Sequence, residues 1–311
     1  MKKNSHSVLR SVGEFLLKGS LSLIAFSALL LNQSAQAATD TWAGNNASTD
    51  WATAANWNTL PVTGDTLTFG AAGTNGTTLT NTLTNSSFNI AGITFNAGGA
   101  AFTFGGNTFN LTAGITNNGS ALQTFNNTGG LSNSVASTFT VSATGGITIT
   151  NGLTDTSDAA QTTTVTGAGG TLTLGGFTLN SGPLAVTDSF NGTGNVNITG
   201  AVVNGGAGPN GLTYSGTGTL TLGGTNTYTG LTTIGNGSVG TVITSGTNTS
   251  GGGTTLVSGT LQLNTTTANN GGLAGIQLVE DIGSTPEPAT VFLAGSSLLG
   301  LIGLVARRRN G

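Results

Sequence analysis

The chain has 311 residues and a formal net charge of −3, with its seven lysines and arginines and its single histidine confined to the two ends. Between Ala38 and Ala306 there is no Lys, Arg or His, all ten carboxylates except Glu14 lie there, and the chain has no cysteine. This excludes nucleic-acid binding, which needs basic side chains against phosphates, a lysine-bearing phosphate loop, side-chain salt bridges within the body, disulfides, thiol catalysis and cysteine-based zinc sites.

In chain order, Lys2, Lys3, Arg10 and Lys18 precede the apolar run Leu21–Leu31, and Ala35-Gln36-Ala37 supplies a small-x-small cleavage site. That pattern predicts a secretory signal peptide over residues 1–37, its apolar core too short to span a bilayer as a helix. It implies the Sec translocon and signal peptidase as partners, and a mature chain that starts at Ala38.

Residues 38–69 hold all three tryptophans, Trp42, Trp51 and Trp57. Two readings stand. The rings cap the apolar end of a stacked β core, since a terminal repeat must differ to close it, or they stack on sugar rings as a glycan site. The spacing of these tryptophans, with Pro61, Gly64-Asp65 and Phe69, is similar to the start of secreted β-repeat proteins of the autotransporter-associated type.

Residues 70–264 are dominated by Gly, Thr, Asn, Ser and aliphatic residues. Runs such as Phe102-Thr-Phe104, Ile147-Thr-Ile149 and Val196-Asn-Ile198 alternate apolar and polar residues, which predicts short strands buried on one face. Gly-Gly, Asn-Gly and Ser-Gly pairs between them supply turns. The body is therefore predicted to be all-β. A sandwich needs about seven longer strands per ~100 residues, and the short runs here favour a parallel β-helix, or solenoid, in which each strand pairs with those above and below.

Gly170-Thr-Leu-Thr-Leu-Gly-Gly176 recurs as Gly218-Thr-Leu-Thr-Leu-Gly-Gly224 and in part at Gly259–Leu263. Together with Asn226-Thr-Tyr-Thr-Gly230 this resembles the autotransporter-associated β-strand repeat, which implies successive strands of a β-helix. Residues 235–257 interrupt the family's spacing and predict an extra coil or a surface loop. The membrane barrel that exports autotransporter passengers is missing from the pattern. Residues 265–285 lose the alternation and read as a linker, with Ile276–Val279 as one last strand. Tyr214 and Tyr228 read as turn or coil-edge residues.

At the C-terminus, Pro286-Glu287-Pro288 is followed by an uncharged stretch, Ala289–Ala306, and by Arg307, Arg308 and Arg309. As a helix the stretch would measure ~27 Å, close to the ~30 Å bilayer core, with the arginines marking its cytoplasmic end. An ordinary single-pass anchor would carry the same helix and arginines. The ordered triplet, helix and cluster over 286–309 resemble the PEP-CTERM sorting signal of Gram-negative bacteria. The resemblance implies recognition by exosortase, a membrane protease-transpeptidase, and processing near the Pro-Glu-Pro after transient inner-membrane anchoring.

The one close acidic pair inside the body is Asp155-Thr-Ser-Asp158. Paired carboxylates can hydrolyse glycosides when held ~5–9 Å apart, or bind calcium, as could Asp40, Asp50 and Asp65. The turn-like composition around Asp155 and Asp158 instead predicts two solvated loop aspartates, with no cofactor and no catalytic set. The sequence thus points to a non-enzymatic, secreted or cell-surface structural protein associated with exopolysaccharide or biofilm matrix. A carbohydrate-binding adhesin using the tryptophans is the alternative.

Overall fold

The computed structural model describes residues 37–263, apart from 47, 86, 236–239 and 247–250, and beyond them the backbone of two short strands, Ile276–Leu278 and Thr290–Leu293. The chain divides between Ala37 and Ala38.

Alternation decides which way each side chain faces. In Thr66–Phe69, Thr171–Leu174 and Thr219–Leu222 the apolar residues are buried and the threonines half-buried on the outer face, as a two-residue period requires. Pairing is parallel and runs from coil to coil. Ile149 lies between Phe125 and Leu174, Leu174 pairs with Ile198, and Ile198 with Leu222. One coil in this region therefore takes 24 or 25 residues. Parallel strands stacked at this interval make a β-solenoid. Its described strands form one sheet of fifteen and one of ten, and ten stacked strands correspond to about nine turns.

Early coils have two strands each. The eight-residue strand Asn110–Asn117 is where a third side opens. Its first half pairs with Leu131–Asn133 and its second half with Ser137–Val141, so the next coil has a bend where this one is continuous. Gly114 sits at the divergence, where an added Cβ would lie 1.9 Å from the Thr138 carbonyl oxygen. Coils carry three strands as far as Thr219–Leu222 and two thereafter.

The recurrent Gly-Thr-Leu-Thr-Leu-Gly-Gly is one strand with its corner. A Cβ on Gly200 would meet the Gly175 carbonyl at 1.8 Å, one on Gly224 the Gly200 carbonyl at 2.1 Å, and one on Gly246 the Gly224 carbonyl at 2.0 Å. Backbone lies directly on backbone at this corner, which only glycine permits. Another corner is held by asparagine amides. Asn107 Nδ2 donates to the Thr84 carbonyl at 2.8 Å, Asn127 Nδ2 to that of Asn107 at 2.6 Å, and Asn151 Nδ2 to that of Asn127 at 2.8 Å.

One inward column of the core, in the ten-stranded sheet, grades from aromatic to aliphatic along the stack. Phe104 and Phe125, stacked at 4.8 Å, occupy the first coils beside Phe69 and Phe95 of the other sheet, and Ile149, Leu174, Ile198 and Leu222 continue the column inside the later ones. Gln123 is buried in register with Ile147. It is tolerated because its Oε1 accepts from Phe102 N at 2.9 Å and its Nε2 donates to the Ala100 carbonyl at 3.0 Å.

Four expectations are settled by this architecture. Residues 235–257 contribute Thr241–Thr244 to one sheet and Thr254–Leu256 to the other, so the interruption is an extra coil. Tyr214 and Tyr228 are core residues and not edge residues. Tyr214 points inward because it is in register with Phe190 and Ile234, and the Tyr228 hydroxyl is hydrogen-bonded to Thr232 Oγ1 at 2.5 Å. In place of a helix beginning at Ala289, Thr290–Leu293 is a strand paired in parallel with Thr260–Leu263. Thr-Val-Phe-Leu is rich in β-branched and aromatic residues and covers an edge that would otherwise be open. Among the described residues no helix is long and apolar enough to cross a membrane, and Ile276–Leu278 forms the short strand expected there.

Candidate functional site

The tryptophan segment belongs to the same sheet as the rest of the body, since Thr39–Thr41 pairs with Thr66–Thr68. Trp42 and Trp57 form an antiparallel bridge and meet edge-to-face at 5.1 Å. Trp51 lies edge-to-face with Trp57 at 5.9 Å and stacks on Phe109 at 5.8 Å, and its carbonyl accepts from Trp57 Nε1 at 2.9 Å. Exposures of 3%, 0% and 5% for Trp42, Trp51 and Trp57 leave no ring face presented to a sugar.

Asp155 and Asp158, adjacent in sequence, part company in the fold. Asp155 is in phase with Leu153 in Leu153–Asp155, points inward and is fully buried, which corrects the expectation of a solvated loop residue. Asp158 is exposed. Asp155 instead meets Asp188, which the alternation in Thr187–Gly192 turns inward with Phe190. Asp188 Oδ1 accepts from Gln161 N at 3.1 Å and Oδ2 from Asn180 N at 3.2 Å. Asp155 Oδ1 accepts from Ser157 N at 2.8 Å, and Oδ2 has no donor. Burial, more than any other cause, pushes the Asp155 carboxyl up. It pushes that of Asp188 to about 7, with the charge of Asp155 adding to it.

A second buried acidic pair closes the first coil. Asp65 Oδ1 accepts from Ala38 N at 2.7 Å and Oδ2 from Val62 N at 2.8 Å. Asp40 is fully buried with no donor to either oxygen, and burial followed by the neighbouring Asp65 pushes it up to about 6. Asp50 differs. Burial raises it, but the Thr82 hydroxyl at 2.5 Å and the Ala52 and Thr82 amides outweigh burial and hold it below the usual carboxylate range. Among the described residues no three His, Cys, Asp or Glu side chains converge as metal ligands.

Neither pair was visible as a pair in the sequence, because Asp155 and Asp188 are brought together only by coil stacking. The available signal was phase: Asp155 and Asp188 both fall on apolar positions of their alternating runs. A shallow groove of about 420 Å³ over Thr94, Gly92, Gly114, Thr116 and Thr138 has no ionisable side chain in its lining.

The remaining nominated residues lie at the two ends. Ala37 is exposed at the boundary where the chain divides, and Ala35 lies outside the described residues. Pro286, Glu287, Pro288, Arg307, Arg308 and Arg309 also lie outside them.

Residues 284–309 match the PEP-CTERM protein-sorting motif. This motif implies export and exosortase-dependent sorting to the cell surface. It covers the triplet and the arginine cluster and leaves the solenoid unassigned. The comparisons do not confirm the autotransporter-associated repeat. No curated protein and no solved structure matches the chain.

Proposed function

We propose that this chain is a non-enzymatic surface structural protein whose solenoid is delivered by its own two ends and then resides in an exopolysaccharide or biofilm matrix. The Sec translocon exports it, signal peptidase cuts after Ala37, and residues 289–306 hold it transiently in the inner membrane. In a bilayer every backbone polar group must be satisfied within its own segment, so there the same apolar residues take up a helix. Exosortase then processes the chain near Pro286-Glu287-Pro288.

The match at 284–309 is the observation that carries this reading. The character of the body supports the structural role. Its buried acids face inward, its groove has no ionisable lining, and the rings a sugar could stack on are packed into the core. The last point weighs against the adhesin. The test is the C-terminal mass of the protein recovered separately from cells and medium. Processing predicts a chain ending near Pro288, and a mature chain still ending at Arg309 or beyond refutes it. Retention of the processed body by purified matrix polysaccharide, against none for a neutral bead, tests the destination.

A further inference from the structure

The cut after Ala37 has a consequence at the first coil. Ala38 N lies 2.7 Å from Asp65 Oδ1, and the Ala38 carbonyl accepts from Thr66 N at 2.8 Å, which fixes Ala38 against Thr66 and Asp65. While Ala37 is attached, that nitrogen is an uncharged amide with one proton to give. We propose that Asp65 and Asp40 form a binding site for the α-ammonium group that signal cleavage creates on Ala38, so that maturation itself completes the N-terminal coil.

Three observations converge on this assignment, which rests on the cleavage reading given above. The contact distance is that of a charge-assisted N–H···O bond. Asp40, fully buried beside Asp65, has two oxygens with no donor, and an ammonium brings three donors in place of one. Residues 38–306 hold no other cation, so no side chain of the body can answer this acidic pair. Among the described residues Asp65 is the titratable group that acts on Asp40, and the adjoining strand Asn89–Phe95 contributes none. A buried carboxylate pair without a counter-charge is costly, and hydrolysis of the Ala37–Ala38 bond supplies the missing charge at the point of need.

The absence of lysine makes the test selective. Once residues 1–37 are gone, the α-amine is the chain's only amine. The full chain is expressed with its own leader, exported and recovered, and its N-terminus is read by mass spectrometry. The rate of acetylation by acetic anhydride is then followed against pH.

An opposite charge in contact shifts a titration by ~1–3 pH units. The native amine should therefore react with a midpoint that far above the ordinary ~7.7–8.0. In denaturant, and in Asp65→Asn, the midpoint should return to the ordinary range. Acetylated protein should melt at a lower temperature than unmodified protein. Because the amine's titration is raised by folding, its stabilisation is complete below pH ~8 and disappears as pH rises through the native midpoint. A chain beginning at Ala38 whose native and denatured amines titrate alike overturns this inference and leaves the cleavage reading standing. A mature chain beginning elsewhere overturns both. The comparison with denatured wild type decides the matter even where Asp65→Asn does not fold.

Discussion

The Asp155–Asp188 pair should contribute stability that is greatest in acid, and Asp155→Asn isolates that contribution. A carboxyl carried from the ordinary 3.8 to about 7 binds a proton in the folded state that the unfolded chain has already released. The contribution of this pair is therefore fullest below pH ~4 and is lost as pH rises towards 7. At about 1.4 kcal/mol per pH unit, Asp188 alone accounts for a loss approaching ~4 kcal/mol across that window. The structure says what the substitution does. The introduced asparagine keeps an Oδ1 to accept from Ser157 N, and its amide nitrogen replaces Oδ2, the oxygen with no donor. That nitrogen should offer the neighbouring Asp188 carboxylate a donor that does not depend on pH. A hydrogen bond to a charged group contributes about 1.5–3 kcal/mol, so at pH 8 Asp155→Asn should be roughly 2 kcal/mol more stable than wild type. The two should converge near pH 4. Urea melts of both proteins at pH 4, 5.5, 7 and 8 measure this, and the separate titration of Asp40 cancels in the difference. A variant less stable than wild type at pH 8, or a gap that does not narrow on acidification, refutes the reasoning.

Two further outcomes follow from packing. Trp51 is completely buried against Trp57, Phe104 and Phe109, so Trp51→Ala should cost ~3–5 kcal/mol in a denaturant melt, whereas loss of a solvent-facing sugar platform would cost little. Gly200→Ala forces a methyl to within 1.8 Å of the Gly175 carbonyl. It should destabilise by ~1–3 kcal/mol or more, while Ala at Gly129, where an added Cβ meets nothing within 4 Å but φ is +79°, should cost only the ~1–2 kcal/mol of left-handed backbone.

What could be read in advance was what is local to a few residues. Thr-Leu-Thr-Leu carries its own face assignment in its alternation, and Gly175-Gly176 its own corner, so the all-β solenoid and its repeat were legible without a partner in view. What could not be read depends on register between coils. The third side opens only because Asn110–Asn117 pairs with two different strands of the next turn. Asp155 looked like a loop residue beside Asp158 because their nearness along the chain was the visible relation, and the one that matters, to Asp188, lies a coil away. Tyr214 reads as an edge residue for the same reason, its inward stacking on Phe190 and Ile234 being a property of three successive turns. Of the functional residues, the sorting motif was legible because it is a linear signal read by another protein and requires no fold.

The two ends of the coil are finished by opposite means, and this bears on the order of events. At the start, Trp42, Trp51 and Trp57 seal the first turn with side chains that belong permanently to the body. At the other end, Thr260–Leu263 is covered by Thr290–Leu293, and those four residues lie within the motif at 284–309. On the route proposed above, these four residues enter the bilayer as part of a helix, and processing near Pro286–Pro288 then removes them together with the arginines, so the edge is left uncovered. An uncovered parallel edge presents a row of backbone donors and acceptors to any strand or hydroxyl-rich neighbour. Use of one segment both as a covering strand and as part of the sorting signal would thus tie the closing of the fold to its transport.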